Sequence, residues 1–471
     1  MDTKELYKLY QQHPVITTDS RDCPAGSIFI ALKGASFNGN QFAISALEKG
    51  CAYAIVDEEP TPGPSLREGS LTTAETPSIS EDFLGGKGME ERIIKVDDCL
   101  QTFKDLAREH RRQFHIPVVG ITGTNGKTTT KELISRVLSE KYNVLYTQGN
   151  FNNDVGVPKT LLNIRPEHEI AVIEMGASHP GDIKTLVETA EPTCGLITNV
   201  GRAHLQGFGS FEGVKSTKGE LYDYLKSEEL RVKSEECSDG TVFINADNEH
   251  LMQMAAERGM KELVKYGQKA ENAEVRGTIR KCDPFLNFEW QAESFGINQP
   301  QSVTTHLIGA YNLDNMLAAI TIGLHFNVDA KAISHALESY IPSNNRSQLT
   351  VTERNKLVVD AYNANPTSMT AALQNFSLMD VPSKMVIIGD MGELGEVSHE
   401  EHQKVVEYLK NAHFIDVWLV GKEFQATDCS FRKFQNVEEV KQAIEQENPH
   451  DRYILIKGSN YMKLFELPPL L

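Results

Sequence analysis

Short apolar runs separated by turn chemistry open the chain and predict an α/β unit. Ser27–Leu32 and Ala52–Val56 read as strands, and Phe42–Leu47 reads as part of a helix between them. From Asp57 to about Arg92 the pattern changes. Pro60, Pro62, Gly63, Pro64, Gly69, Gly85, Gly86 and Gly88 stand among Ser, Thr and Glu, with too little apolar surface to offset the entropy of ordering them. This predicts a mobile surface insertion, about 57–92, within a first domain of residues 1–114. Ile93–Val96 resumes strand character, and a helix over Cys99–Phe114 leads into the buried-strand pattern Ile116–Thr122. Apolar strand patterns then recur between helical stretches at Ile170–Ile173, Gly195–Thr198 and Val242–Asn245. That recurrence predicts a mainly parallel, helix-covered sheet over 115–342. Turn chemistry at Ile341–Asn345 marks a boundary. A second strand–helix alternation through Lys356–Val359, Met385–Ile388, Val417–Val420 and Tyr453–Ile456 fills 343–471. No internal repeat is visible.

Length agrees with this partition, since 471 residues leave room for about three domains. Lys and Arg number 47 against 65 Asp and Glu, a net charge of −18. So acidic a surface repels nucleic-acid backbones and anionic lipid, and any phosphate the chain binds must meet a local site. Neither a nucleic-acid nor a membrane partner is expected. The seven cysteines lie far apart and form no CxxC pair, which indicates neither a disulfide framework nor a zinc knuckle. The first residues lack an apolar signal region, and no apolar run approaches the about 18 residues of a membrane span. A cytoplasmic chain is expected.

The most informative stretch is Gly120–Thr130, GITGTNGKTTT, lying between a buried strand and a helical pattern. In that setting successive backbone N–H groups turn inward, and the helix N-terminus adds partial positive charge. Gly123 and Gly126 allow close backbone approach, Lys127 can reach the terminal phosphates of a nucleotide, and the Thr128 hydroxyl can ligate Mg²⁺. The spacing is a shortened GxxGK[ST], because Ile121 stands where the longer motif has glycine. An ordinary glycine-rich turn is the alternative.

A phosphate loop specifies nucleotide binding and not a reaction. Glu174 follows the strand Ile170–Ile173 and falls in the crevice where doubly wound sheets bind ligands, where it can hold Mg²⁺ or simply open the next helix. His204 reads as a second metal ligand or as a polar loop residue. Lys218, a cation, could ligate a metal only as a carbamate; alone it reads as a surface charge.

The segments TGTNGKTT (122–129), EMGASHPGDI (174–183), HLQGFGS (204–210) and KGE (218–220) resemble the Mur ligases, ATP-dependent amide-forming enzymes of peptidoglycan synthesis. GNFNNDVGVPKTLL (149–162), DAYNANPTSMTAAL (360–373) and GDMGELG (389–395) narrow the resemblance to members that add D-alanyl-D-alanine to UDP-N-acetylmuramoyl-tripeptide. It runs from about Thr17 to Gly458, and the insertion at 57–92 departs from the family pattern. It implies an α/β fold of three domains: a small N-terminal UDP-substrate domain, a central P-loop parallel-sheet ATPase domain and a C-terminal Rossmann-like domain.

The resemblance also implies roles. ATP would sit on Gly123, Thr124, Asn125, Gly126, Lys127, Thr128 and Thr129. Thr128 and Glu174 would hold one Mg²⁺, and His204 with a carbamylated Lys218 would help hold a second near the reacting carboxylate. Asn312 and Asn315 match an adenine-contacting pair, although an Asn-x-x-Asn at a helix start is as often a cap. Arg346 and Asp360 match residues that the third domain brings to the ribose and phosphates. Asp19, Ser20, Arg21 and Lys33 resemble the part that holds the UDP moiety. Asn150, Asn152 and Asn153 are placed for the muramoyl-peptide, and Tyr362, Asn363 and Asn365 for the incoming dipeptide. A monomer is expected, and the third domain is expected to close onto the middle one. Rival readings are a ligase for another acceptor, a non-catalytic nucleotide switch and a nucleic-acid-dependent ATPase.

Overall fold

A computed structural model describes residues 1–34, 36–60, 88–226, 240–342 and 348–471. Most of the predicted insertion, from 61 to 87, and the predicted nucleotide ligand Arg346 therefore lie outside the described residues. The chain divides into two compact units, one of residues 1–115, 151–166 and 188–191, the other of 116–150, 167–187 and 192–471.

In the first unit, β1 (Ile16–Thr17), β2 (Ile28–Ile30), β5 (Tyr53–Val56) and β6 (Ile93–Lys95) pair in that order as a parallel sheet, while β3 (Lys33–Gly34) and β4 (Phe37–Asn38) form a small ribbon. The helix Thr3–Gln12 begins in a capping box between Asp2 and Glu5. The helix Cys99–Arg112 starts at Asp98, whose carboxylate accepts the N–H of Gln101 at 2.8 Å. Residues 151–166 join this unit through buried polar contacts. Tyr10 donates its hydroxyl to the Leu162 carbonyl at 2.8 Å, and His110 donates from Nε2 to the Ile164 carbonyl at 3.0 Å. Glu191 joins through the Arg112 guanidinium at 2.6 Å.

The second unit holds two sheets. The larger comprises β7 (Val118–Thr122), β8 (Val144–Tyr146), β9 (Ile170–Glu174), β10 (Cys194–Ile197), β11 (Thr241–Asn245), β12 (Leu263–Gly267), β13 (Val275–Cys282), β14 (Phe285–Ala292) and β15 (Ile297–Ile308). Their order is β15-β14-β13-β12-β11-β10-β7-β9-β8. Pairing is parallel from β8 to β13 and antiparallel through β14 and β15. The parallel part is the sheet that the apolar runs predict. The antiparallel edge goes beyond that expectation, because one face of β14 is half exposed and its residues alternate in burial, Leu286, Phe288, Trp290 and Ala292 pointing inward. One continuous core joins these strands to the helices Lys127–Leu138 and Asn312–His325.

The smaller sheet runs β16-β17-β21-β18-β19-β20, from β16 (Gln348–Val351), β17 (Asn355–Asp360), β18 (Lys384–Gly389), β19 (Asp416–Val420), β20 (Arg432–Phe434) and β21 (Arg452–Lys457). Only β16 is antiparallel. Alternate residues feed two cores, with Val358, Val386, Ile388 and Leu419 on one face and Leu357, Val359, Ile387 and Trp418 on the other. That two-sided burial is the signature of a doubly wound sheet. Ile308 and Phe285 of the larger sheet pack into the first of these cores. Asn375 also accepts the N–H of Ala310 at 3.1 Å, so the two sheets are tied.

Candidate active site

Strand order reverses around β7. From β7 the chain crosses towards β9 and β8, and from β10 it crosses the other way, so the carboxyl ends of β7 and β10 flank the crevice where such sheets bind ligands. The loop Gly123–Gly126 leaves β7 there. Gly123 has φ +143°, and a Cβ on it would stand 2.0 Å from Thr198 Oγ1, so the loop's close approach to the end of β10 requires glycine. Gly126, left-handed at φ 79°, occupies the N-cap of the helix Lys127–Leu138, where no side chain caps the turn.

The loop is held by the chain just after β10. Thr124 N–H donates to the Asn199 carbonyl at 2.9 Å and Asn125 N–H to Asn199 Oδ1 at 3.0 Å. The Asn125 carbonyl in turn accepts from Thr198 Oγ1 at 2.6 Å and Asn199 Nδ2 at 3.0 Å. Lys127 curls over its own loop, donating from Nζ to the carbonyls of Gly123 at 2.7 Å and Thr124 at 3.2 Å. Thr129 lies half-buried in the first turn of the helix.

At the end of β9 the carboxylate of Glu174 accepts from Thr128 Oγ1 at 3.1 Å, and both residues are almost wholly buried. Thr147 fixes Glu174 by accepting its N–H on Oγ1 at 3.0 Å, and the buried Lys131 ammonium donates to the Thr147 carbonyl at 2.8 Å. A hydroxyl and a carboxylate converging at a phosphate loop are the oxygen donors that Mg²⁺ takes when nucleotide phosphates and water supply the rest of its shell. Among the described residues no three His, Cys, Asp or Glu side chains converge as a self-contained metal cage. A shared protein–nucleotide shell fits the residues present.

Lys218 is buried on the helix Phe211–Leu225, its Nζ 5.5 Å from the centroid of the Phe208 ring. Burial first, and then the positive charge of Lys127, push its ammonium well below the usual lysine range, with Asp182 and Glu220 opposing. His204 has a left-handed backbone, φ 50°. Its Nδ1 lies against the carboxylate of Glu393, whose carboxyl is held below its usual range chiefly by that contact.

Asn315 lies against Gly126 and accepts from Thr130 Oγ1 at 3.0 Å, while its Nδ2 donates to Asn312 Oδ1 at 2.9 Å. Asn312 donates to the Ile308 carbonyl at 2.8 Å. The pair thus braces the phosphate loop against the helix Asn312–His325, and Tyr311 rather than either Asn holds the N-cap.

From the smaller sheet, Asn365 reaches the loop. Its Nδ2 donates to Asn125 Oδ1 at 2.8 Å while its Oδ1 caps the helix Pro366–Leu378 by accepting the Ser368 N–H at 2.9 Å. Asp360, at the end of β17, pairs with the buried Lys457 at 2.6 Å, and Lys457 also donates to the Asn363 carbonyl. Tyr362 is half-buried and Asn363 exposed.

Most of the remaining predicted residues belong to the first unit. In the first unit Arg21 grips Asp19 at 2.7 Å, Lys33 pairs with Asp57 at 3.0 Å and Glu58 at 2.9 Å, and Ser20 accepts Lys49 on its carbonyl at 2.6 Å. In the same unit Asn153 caps the turn into Gly156–Leu161, and Asn152 is half-buried. Asn150 is exposed and belongs to the second unit. Reading the sequence by itself passes over Thr147, Thr198, Asn199 and Lys457. Thr198 and Asn199 carry a usable signal, standing at the carboxyl end of a predicted strand; Thr147 and Lys457 carry none.

Three family models cover the chain: the Mur ligase family catalytic domain at residues 14–111, the Mur ligase middle domain at 121–323 and the Mur ligase glutamate ligase domain at 345–460. The chain belongs to the Mur ligase family. It is 33% identical over 414 residues to the UDP-N-acetylmuramoyl-tripeptide–D-alanyl-D-alanine ligase of Escherichia coli strain K12, covering 87% of this chain and 82% of the relative. To the Bacillus subtilis ligase of the same name it is 31% identical, covering 96% and 92%. A crystal structure of MurF from Acinetobacter baumannii superposes with a TM-score of 0.80 at 28% identity, covering 96% of this chain and 92% of that one.

Proposed function

We propose that this chain is an ATP-dependent ligase that adds D-alanyl-D-alanine to UDP-N-acetylmuramoyl-tripeptide in the cytoplasm, releasing ADP and phosphate, as a step of peptidoglycan precursor synthesis. The observation that carries this reading is the Asn125–Asn365 pair. It sets the phosphate loop within one hydrogen bond of the 360–373 segment, which resembles the dipeptide-adding members of the family.

The chemistry follows from the charges. A carboxylate is a poor electrophile, so one of its oxygens first attacks the γ-phosphorus of ATP, giving an acyl phosphate and ADP. The dipeptide amine then attacks the acyl carbon, phosphate leaves, and the nitrogen sheds a proton to solvent. Every group in the first step is anionic, so positioning and cationic stabilisation carry the catalysis. Lys127 supplies positive charge at the β/γ-phosphates, and the N-terminus of Lys127–Leu138 orients them. Thr128 and Glu174 would hold one Mg²⁺, and His204 with Lys218 a second. When bound, these ions neutralise phosphate charge and screen the approaching carboxylate. Burial beside Lys127 favours the neutral amine of Lys218, the form that adds CO₂ to become a carbamate, and an anion there suits a cation site. Asn312, Asn315, Arg346 and Asp360 serve the nucleoside end. Asp19, Ser20, Arg21 and Lys33 serve the UDP moiety, Asn150, Asn152 and Asn153 the muramoyl-peptide, and Tyr362, Asn363 and Asn365 the dipeptide. The enzyme acts as a monomer.

The test mixes protein, ATP, Mg²⁺, UDP-muramoyl-tripeptide and D-alanyl-D-alanine and weighs the product. A mass gain of one dipeptide less one water is expected, with ¹⁸O from the substrate carboxylate appearing in the released phosphate. ATP hydrolysis without that product, or product with a different amine when candidates are offered singly, overturns the reading. Rescue of Lys218→Ala by short carboxylates tests the carbamate.

A further inference from the structure

We propose that Glu393 is a positioning residue for this reaction: from the loop after β18 its carboxylate is placed to take Nδ1–H of His204 when a cation binds, which fixes that ring's tautomer and leaves Nε2 for the cation. The inference rests on the reading of His204 as a cation ligand and adds a role for the GDMGELG segment.

Three observations carry it. Nδ1 of His204 is shielded from solvent and has no aligned hydrogen bond, and the Glu393 carboxylate is in contact with it. Histidines that ligate metals commonly donate their other ring N–H to a carboxylate, which sets orientation and raises basicity. Second, both partners hold left-handed backbones that non-glycine residues seldom adopt, φ 50° at His204 and 60° at Glu393. Two such residues meeting face to face mark a place where the surrounding structure enforces the geometry.

Third, the segment bearing Glu393 is fixed on both sides. Met391 N–H donates to the buried His402 Nε2 at 3.0 Å, Gly392 N–H donates to Ser459 Oγ at 2.9 Å, and Leu394 is buried in the core. The segment bearing His204 is tied to the helices flanking the smaller sheet by Arg202, whose guanidinium meets Glu401 at 3.2 Å and whose N–H donates to Thr367 Oγ1 at 3.3 Å. Docking of the C-terminal sheet and orientation of His204 are therefore one event. By reciprocity, a cation on Nε2 favours the docked state.

Mn²⁺ is the probe, with the full chain, a non-hydrolysable ATP analogue and UDP-muramoyl-tripeptide. Affinity is read by electron paramagnetic resonance, and ring coordination by the ¹⁴N coupling in its pulsed form. Glu393→Gln, which folds as an exposed loop substitution with an unchanged melting temperature, should weaken Mn²⁺ about tenfold or more and alter the ¹⁴N coupling. Acetate should restore affinity to Glu393→Ala. If Glu393→Gln keeps wild-type affinity and coupling while His204→Ala loses the coupling, the positioning role is overturned and the reading of His204 stands. If His204→Ala also matches the wild type, that reading falls too.

Discussion

Gly123→Ala tests the geometry of the phosphate loop most sharply. The new methyl would stand 2.0 Å from Thr198 Oγ1, 3.0 Å from Thr198 N and 3.2 Å from Asn199 N, in a backbone with φ +143°. Two costs add. Placing a side chain on that backbone costs about 1–3 kcal/mol, and forcing a methyl into filled space costs about 1–3 kcal/mol more. Gly149→Ala is the control, since its φ of +52° is also unfavourable but nothing lies within 4 Å of its added methyl. Only the backbone cost, about 1–2 kcal/mol, is expected there. Guanidinium denaturation in a Trp418→Phe background leaves the buried Trp290 of the larger sheet as reporter. Titration calorimetry with a non-hydrolysable ATP analogue then measures the loop directly. Gly123→Ala should lose clearly more stability than Gly149→Ala and should bind the analogue far more weakly. Adding Thr198→Ala should recover part of the loss, because the nearest atom is gone; recovery stays incomplete, because the backbone nitrogens remain and Thr198 no longer bonds the Asn125 carbonyl. Equal stability of the two single variants, with unchanged nucleotide affinity, would refute the reasoning.

Three further outcomes are expected. Lys127→Ala should lower kcat about 10²–10³-fold while leaving KM for the dipeptide within a few-fold, because only charge developing at the phosphates is lost; steady-state phosphate release measures it. Asn365→Asp keeps the helix cap but sets a carboxylate against Asn125 Oδ1, so nucleotide affinity should fall while the melting temperature stays near wild type. The pH dependence of the first unit follows from His110, whose pKa burial pushes below the 6.5 of a free histidine. Its Nε2–H is donated to the Ile164 carbonyl and its Nδ1 faces Tyr7 Oη at 3.1 Å. As pH falls through 6.5 the unfolded chain takes up a proton that the folded unit does not. Stability is therefore full above that pH and declines below it, by up to about 1.4 kcal/mol per pH unit. Denaturation at pH 7.5 and 5 should show this slope, and His110→Gln should flatten it.

The chain order of residues announces the loop, because GTNGKTT after a run of apolar residues is local strand, turn and helix-start chemistry. Glu174 is legible for the same reason, lying at the carboxyl end of a strand whose burial its own residues announce. The alternating burial of β14 was also present in the sequence, as Leu286, Phe288 and Trp290 at every second position. Only the folded chain decided which polar groups meet across long separations. Asn125 and Asn365, 240 positions apart, pair their amides, and His204 meets Glu393 in the loop after β18. The assignment of residues 151–166 to the first unit is likewise tertiary, resting on Tyr10, His110 and two backbone carbonyls. Periodicity and turn chemistry are local, so a sequence displays them. Which side chain faces which depends on strand order and on how elements pack, and those are properties of the whole chain.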